Sequence, residues 1–434
     1  MVNVLYANDR LGEYPDSYYA ATAPMLEPFP SLQGEVRVDV CVIGAGFSGL
    51  SAALHLKKRG FDVALLDAHR IGWGASGRNG GQVGTGQRLQ QDALTKLVGD
   101  DHARALWDVS QGAKALVSQL INDLNIECDY RSGILYTDHK KAYSEDTKRY
   151  VDFMRNEYDY KDITYLDRDA VRSVLATEAY HSGTYDTGGR HLHPLKFALG
   201  LARGCAESGV RIFEKSEVKE ISEGAPARVT TQNGELTADT IVLAANGYLG
   251  GLNRRAANRI IPINNYIVAT EPLAPETASS LIANGAAVAD SKFVINYYRL
   301  SEDHRLLFGG RESYRYRFPT DIKSFVREAM LSIYPQLEDT QIDYGWGGTL
   351  ALTMNRMPYF EFLSPNMVTI GGYSGHGVMM ATMGGALAAE AVGGVMERFD
   401  VMARVPTQPI PGGVHARLPL LTLGMAFYSL RDRL

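Results

Sequence analysis

The chain has 434 residues, 45% of them hydrophobic, enough for a large buried core and for two or three domains. Its formal charge is −5 at pH 7, with no basic block and no basic–aromatic interleaving, which argues against a nucleic-acid partner. The three cysteines (Cys41, Cys128 and Cys205) are odd in number and far apart; they form no CxxC or metal pattern and fit a reducing, cytoplasmic compartment.

Met1–Glu35 reads as an extended lead-in rich in Tyr and Pro, expected to wrap the surface or to lie near a site. It has no basic stretch followed by an apolar run, so no signal peptide is expected. The next thirty residues, VDVCVIGAGFSGLSAALHLKKRGFDVALLD, carry the strongest signal in the chain. A buried strand, Val38–Ile43, runs into Gly44-x-Gly46-x-x-Gly49 and a helix, and a second strand ends on Asp67. Gly44 suits a tight turn, Gly46 a close approach to a pyrophosphate, and Gly49 close packing of helix on strand. Phe47 and Ser48 open the helix, whose N-terminus attracts phosphate charge. Asp67 lies eighteen residues after Gly49, placed to accept hydrogen bonds from an adenosine ribose, with Ala68 beside it.

Nucleotide-fold signals recur in separated places, which predicts interleaved domains. The expected division assigns 36–98, 185–255 and 346–434 to a dinucleotide-binding domain, and 99–184 and 256–345 to a substrate domain. In the second nucleotide segment an Asn233-Gly234 turn joins a hairpin to a buried strand. Between these segments lie alternating aromatic strands, Asp129–Thr137, Ile261–Thr270, Phe293–Leu300, Arg305–Gly309 and Gln341–Trp346, which predict an antiparallel sheet. The fold class is therefore α/β with an α+β second domain: a Rossmann-like domain interleaved with an antiparallel-sheet domain. Near the end, Leu418–Leu430 is apolar but short for a membrane span and is expected to pack.

Three features favour FAD over a nicotinamide. Gly74–Gln82 (GASGRNGGQ) offers small residues and backbone N–H groups to a long dinucleotide. The nucleotide domain returns late in the chain. That return carries Gly371–Val378 (GGYSGHGV) opening a helix, which suits the negative charge of a reduced flavin. No second GxGxxG for NAD(P)H is present. Arg70 is too close to Asp67 for a 2′-phosphate site and is expected at the surface or supporting the FAD loop.

The segments DVCVIGAGFSGLSAALHL, GFDVALLDAHRIGWGASGRNGGQ, CDYRSGILY, GGRHLHPL, NYYRLSEDHRLLFGG, YPQLEDTQIDYGWGG, RMPYF, GYSGHGV and YSLRDRL resemble the D-amino-acid oxidase/glycine oxidase class of FAD amine oxidases. Within it, the chain is most similar to the gamma-glutamylputrescine oxidases. The resemblance implies that Gly44, Gly46, Gly49, Asp67, Ala75, Ser76, Asn79, Gly80, Gly81 and Gln82 lie along FAD. Val218 would meet the adenine side, and Gly372, Gly375, His376, Gly377 and Val378 the isoalloxazine. Relatives that bind flavin covalently use a late Cys or a His after the GxS loop; here the loop reads Ser76-Gly77-Arg78, so FAD is expected to be non-covalent. Where amino-acid oxidases of the class place carboxylate-clamping arginines, this chain has Leu350 and Gly375. An amine without a neighbouring carboxylate is therefore expected as substrate, with dioxygen as acceptor.

Tyr298, Trp346 and Tyr373 are the candidates for an aromatic wall, and His376 for a hydrogen bond to the ring or a proton transfer. His191 and His193 form an HxH without an evident third ligand, so capping and packing are expected rather than a metal. Arg299 ends an aromatic strand and is read as structural. Arg311, Arg315 and Arg317 are candidates to reach a distal carboxylate, against a solvated loop. Two other readings stay open: a flavin dehydrogenase passing electrons to another acceptor, and a non-catalytic flavin module.

Overall fold

In the computed structural model, which describes residues 3–313, 315–414 and 417, two sheets face one cavity. The first grows from the apolar run. Val38, Val40, Cys41, Val42 and Ile43 of β1 (Gly34–Ile43) are all buried, as expected for a strand covered on both faces. The chain turns through Gly44 into α1 (Phe47–Lys58) and returns as β2 (Val63–Leu66), parallel to β1.

Two strands head the second sheet, β3 (Arg131–Asp138) and β4 (Ser182–His191), paired antiparallel. His193 then caps α2 (Pro194–Glu207), its Nδ1 accepting from the Lys196 amide at 3.2 Å, while His191 Nε2 lies 3.1 Å from Gly285 O. The chain re-enters the first sheet as β5 (Arg211–Phe213) beside β2, and as β6 (Gly234–Leu243) on the other side of β1. β6 follows the Asn233-Gly234 turn and pairs antiparallel with Ala227–Thr230.

The rest of the second sheet is β7 (Ile261–Thr270), β8 (Ala287–Asp290), β9 (Tyr297–Leu300), β10 (Leu306–Ser313) and β11 (Ile342–Leu352), in the order β11-β7-β10-β9-β8-β3-β4. All neighbours on this path are antiparallel except β8 and β3. A helix over Ile322–Ile333, capped by Asp321, covers one face with Val326, Met330 and Ile333. Finally β12 (Tyr359–Ser364) and β13 (Met367–Gly371) complete the first sheet, in the order β12-β13-β6-β1-β2-β5, and α3 (Gly377–Val392) packs across α1.

Strands run across two of the expected boundaries. β4 continues past 184/185 to His191, and β11 past 345/346 to Leu352, while Gln82–Val83 also pairs with β4. These strands belong to the second sheet by their hydrogen-bonded pairing. β9 begins only at Tyr297, since Asp290 accepts from the Lys292 and Asn296 amides and folds that stretch into a turn. Leu418–Leu430 lies outside the described residues. No described helix is long and apolar enough to cross a membrane.

The α1–α3 crossing is tight. Ser51 Oγ donates to Thr382 O at 2.6 Å, and a Cβ built at Gly385 would stand 2.2 Å from Ser48 O. Gly385→Ala must therefore push the helices apart. A loss of about 1–3 kcal/mol is expected, read as a lower melting temperature with weakened cofactor retention.

Candidate active site and cofactor cleft

A cavity of about 800 Å³ opens at the carboxyl ends of β1, β2 and β6 and runs under the second sheet. At its nucleotide end Gly44 takes φ +103°, which an L side chain rarely adopts. A Cβ at Gly49 would lie 1.8 Å from Gly44 O, so α1 starts pressed against the turn. Gly46 caps α1 without a side-chain hydrogen bond, so backbone N–H groups of the first turn remain for a phosphate. Ser76 Oγ accepts from the Phe47 amide at 2.9 Å and sits where a side chain at Gly46 would be. Asp67 accepts from the Ala45 and His69 amides, both at 2.7 Å, while lining the cavity. Burial pushes its carboxyl up to about 6, against the lowering effect of those amides.

The loop after β2 is held from within. Asn79 Nδ2 donates to Ala75 O and Ser76 O at 3.0 Å each, and its Oδ1 accepts from the Gly81 amide at 2.7 Å. Gln82 Nε2 donates to Val288 O, and Arg299 Nε donates to Gly80 O, tying the loop to the second sheet. Arg78 is buried; it donates to Trp73 O, Gly347 O and Asp9, and lies 4.6 Å over the Trp73 ring. The lead-in is thus strapped over the loop. His69 Nδ1 accepts from the Gly12 amide, its Nε2 donates to Leu5 O, and Leu5 reaches the cavity wall.

At the other end, the turn into α3 places Tyr373, Gly375, His376, Gly377 and Val378 on the cavity wall. Tyr373 OH lies 2.6 Å from Ser48 Oγ, joining this turn to the start of α1. His376 Nε2 lies 3.0 Å from Gly86 O. A carbonyl only accepts, so Nε2 carries the proton and Nδ1 keeps a lone pair. Burial holds this imidazole down at about 4, so it is neutral at neutral pH. Tyr136 OH and the His376 ring both close on Gly84.

Gly44, Gly46, Phe47, Ser48, Asp67, Ala68, Ala75, Ser76, Asn79, Gly80, Gln82 and Val218 also line the cavity. Several expected residues do not. Gly49 and Gly81 stand behind the wall where backbone approaches closely, and the Gly372 amide donates to Asn246 Oδ1. Arg70 turns away to Glu214 (2.7 Å) and Leu26 O, and so supports the loop. Tyr298 is corrected: it stacks on Phe308 in the core under the covering helix, with ring centres 5.3 Å apart. Strand alternation gives the cavity to its neighbour Tyr297, whose ring meets Gly80. Trp346 is corrected as well: its Nε1 donates to Arg78 O and its ring packs on Tyr19, behind the loop. Arg311 pairs with Glu328 over Phe325, and neither it nor Arg315 nor Arg317 lines the cavity. Tyr136, Phe293, Tyr297, Arg88 and Arg356 line it and were not anticipated.

The family described as FAD dependent oxidoreductase matches residues 39–391, and the chain belongs to it. The protein is thus an FAD-dependent oxidoreductase, and the cradle around Gly44, Asp67 and the first turn of α1 fits that cofactor. The chain is 40% identical over 418 residues to the probable oxidoreductase OrdL of Rhizobium meliloti (strain 1021), covering 96% of this chain and 97% of that one. It is also 40% identical over 426 residues to the gamma-glutamylputrescine oxidoreductase of Escherichia coli (strain K12), covering 97% and 99%. The crystal structure of glycine oxidase from Geobacillus kaustophilus shares the fold, with a TM-score of 0.70 at 19% identity over 86% of this chain and all of that one.

The buried titratable groups set an acid limit. Burial holds His69 and His376 at about 4 and His191 and His193 at about 3. The unfolded chain protonates these rings near 6.5, so their contribution is full above 6.5 and is lost as pH falls toward 4. Asp67 and Asp290, raised to about 6 by burial, act in the opposite sense. Four groups against two leave a net loss, about 1.4 kcal/mol per pH unit for each net proton. Thermal melts from pH 6.5 to 4 should show a falling midpoint; a rising one contradicts this assignment of charge.

Proposed function

We propose that the protein oxidises a primary amine whose reacting carbon bears no carboxylate, a γ-glutamylated polyamine such as γ-glutamylputrescine fitting best. The products are an aldehyde, ammonia and hydrogen peroxide, with dioxygen as acceptor and FAD held non-covalently. The observation that carries this reading is that Leu350 and Gly375, both on the cavity wall, stand where amino-acid oxidases of the class place carboxylate-clamping arginines. The 40% identity to the E. coli protein named for that substrate supports it.

Bound FAD supplies the two-electron acceptor for the amine carbon. The chain's own residues do the rest. Tyr297, Phe293, Ile295, Leu350 and Leu352 give the cleft an apolar lining that excludes water. Desolvation disfavours an ammonium, so the amine is held neutral and able to react. Asn79 and Arg299 fix the loop along which the cofactor lies. His376, its Nε2 proton committed to Gly86 O, presents Nδ1 to accept a proton or hydrogen bond at the cavity wall.

Anaerobic addition of γ-glutamylputrescine to the yellow protein should bleach the flavin, and air should restore the colour with formation of peroxide. Glycine and D-alanine should reduce it at least about tenfold more slowly, for want of charged partners to their carboxylate. Slow recolouring in air would indicate a dehydrogenase, and no bleaching with any amine a non-catalytic module. His376→Gln should lower kcat/KM by about a hundredfold. The wild-type profile should lack a His376 ionisation near pH 6.5.

A further inference from the structure

Two cations on the cavity wall have no role in the chemistry above. Arg88 follows the Gln82–Val83 strand, and its Nε donates to Ser374 O at 3.1 Å. Arg356, in the loop between β11 and β12, lies with its guanidinium carbon 5.3 Å over the Phe293 ring. Neither forms an ion pair among the described residues. Arg70, Arg78, Arg305 and Arg311 each have a carboxylate partner, and Arg299 is committed to the Gly80 carbonyl behind the loop. Arg88 and Arg356 also repel each other, and burial adds to the cost of the Arg88 charge. Glu312, on the same wall, attracts Arg88 without reaching ion-pair distance. Like charges brought together in a cleft are stabilised by an anion that enters it, and a planar guanidinium suits a carboxylate.

We propose that Arg88 and Arg356 form the receptor for a carboxylate at the far end of the amine substrate, and so set the enzyme's specificity. This rests on the reading of the cleft as an amine-oxidase site. It assigns the acyl chain to the aromatic walls. The acidic end then lies between the two guanidinium groups.

The test pairs two substrates that differ only at that end, N-glutarylputrescine (carboxylate) and N-pentanoylputrescine (methyl). The wild type should prefer the glutaryl amide by about 30- to 100-fold in kcat/KM. R88Q should lower kcat/KM for the glutaryl amide about 30- to 100-fold more than for the pentanoyl amide, mainly through KM, and R88K should restore part of the difference. R356Q should act in the same direction. An equal loss on both substrates, as a merely structural arginine would give, overturns the proposal. So does preferred oxidation of α-amino acids that R88Q abolishes, which would put the carboxylate beside the reacting carbon. Glutarate binding, followed by perturbation of the oxidised flavin spectrum, needs no turnover. If neither amide bleaches the flavin, the reading of the reaction fails, and this titration still decides the anion site. A dissociation constant raised tenfold or more in R88Q supports it, and an unchanged one overturns it.

Discussion

The contact between Gly49 and the Gly44 carbonyl governs the rest of the molecule. With 1.8 Å between that oxygen and any Cβ at position 49, α1 can start only where no side chain intervenes. The start of α1 sets where its free N–H groups point. It also sets where Ser48 meets Tyr373 and where Ser51 meets Thr382. Through those two contacts the turn that carries His376 is positioned from the opposite end of the chain. Cofactor cradle and reaction face are thus one packing arrangement, built on adjoining helices whose crossing tolerates only small residues at Gly385 and Ala52.

A second constraint comes from outside this core. The loop after β2 has little regular structure, and its shape is imposed by partners remote in sequence. Arg78 is the centre of that restraint. Its guanidinium reaches Asp9 in the lead-in and the Gly347 carbonyl in β11, while its own carbonyl accepts from Trp346. Leu5 at the cavity wall depends on the same strap, through the His69 hydrogen bonds to Gly12 and Leu5. The lead-in therefore forms part of the cleft, and the aromatic residues that crowd it, Tyr14, Tyr18 and Tyr19, anchor it to the loop and second sheet.

What was legible in the sequence was whatever local periodicity and glycine spacing encode. The β1–α1–β2 unit and the Asn233-Gly234 turn both declare themselves within a few residues. Choosing which of two adjacent residues faces a cavity is harder. Tyr297 and Tyr298 are both aromatic, and strand phase separates them only once the register with β10 is known, Tyr298 opposite Phe308 and Tyr297 opposite Gly309. The bare Gly309 and Gly80 leave the space that the Tyr297 ring occupies. Trp346 has the same ambiguity, resolved by a loop two hundred and sixty-eight residues away. Arg88 and Arg356 could not be paired from sequence, because their meeting depends on how the turn at Ser374 passes between the layers.

The distribution of charge links these points. Much of the positive charge that supports the fold is neutralised in place, Arg70 by Glu214, Arg78 by Asp9 and Arg305 by Asp303 and Asp343, while Arg299 is held by the Gly80 carbonyl. Each neutralised pair leaves the cleft's field unchanged. Burial and the nearby Arg88 charge both favour the neutral His376 ring. Arg88 and Arg356, by contrast, lie on the cavity wall with no ion pair among the described residues. Under the proposed reading, an amine with an acidic tail is drawn in tail-first to them. On that proposal, the arginines that bind the tail also raise the positive potential of the cleft, which disfavours the ammonium form of the amine.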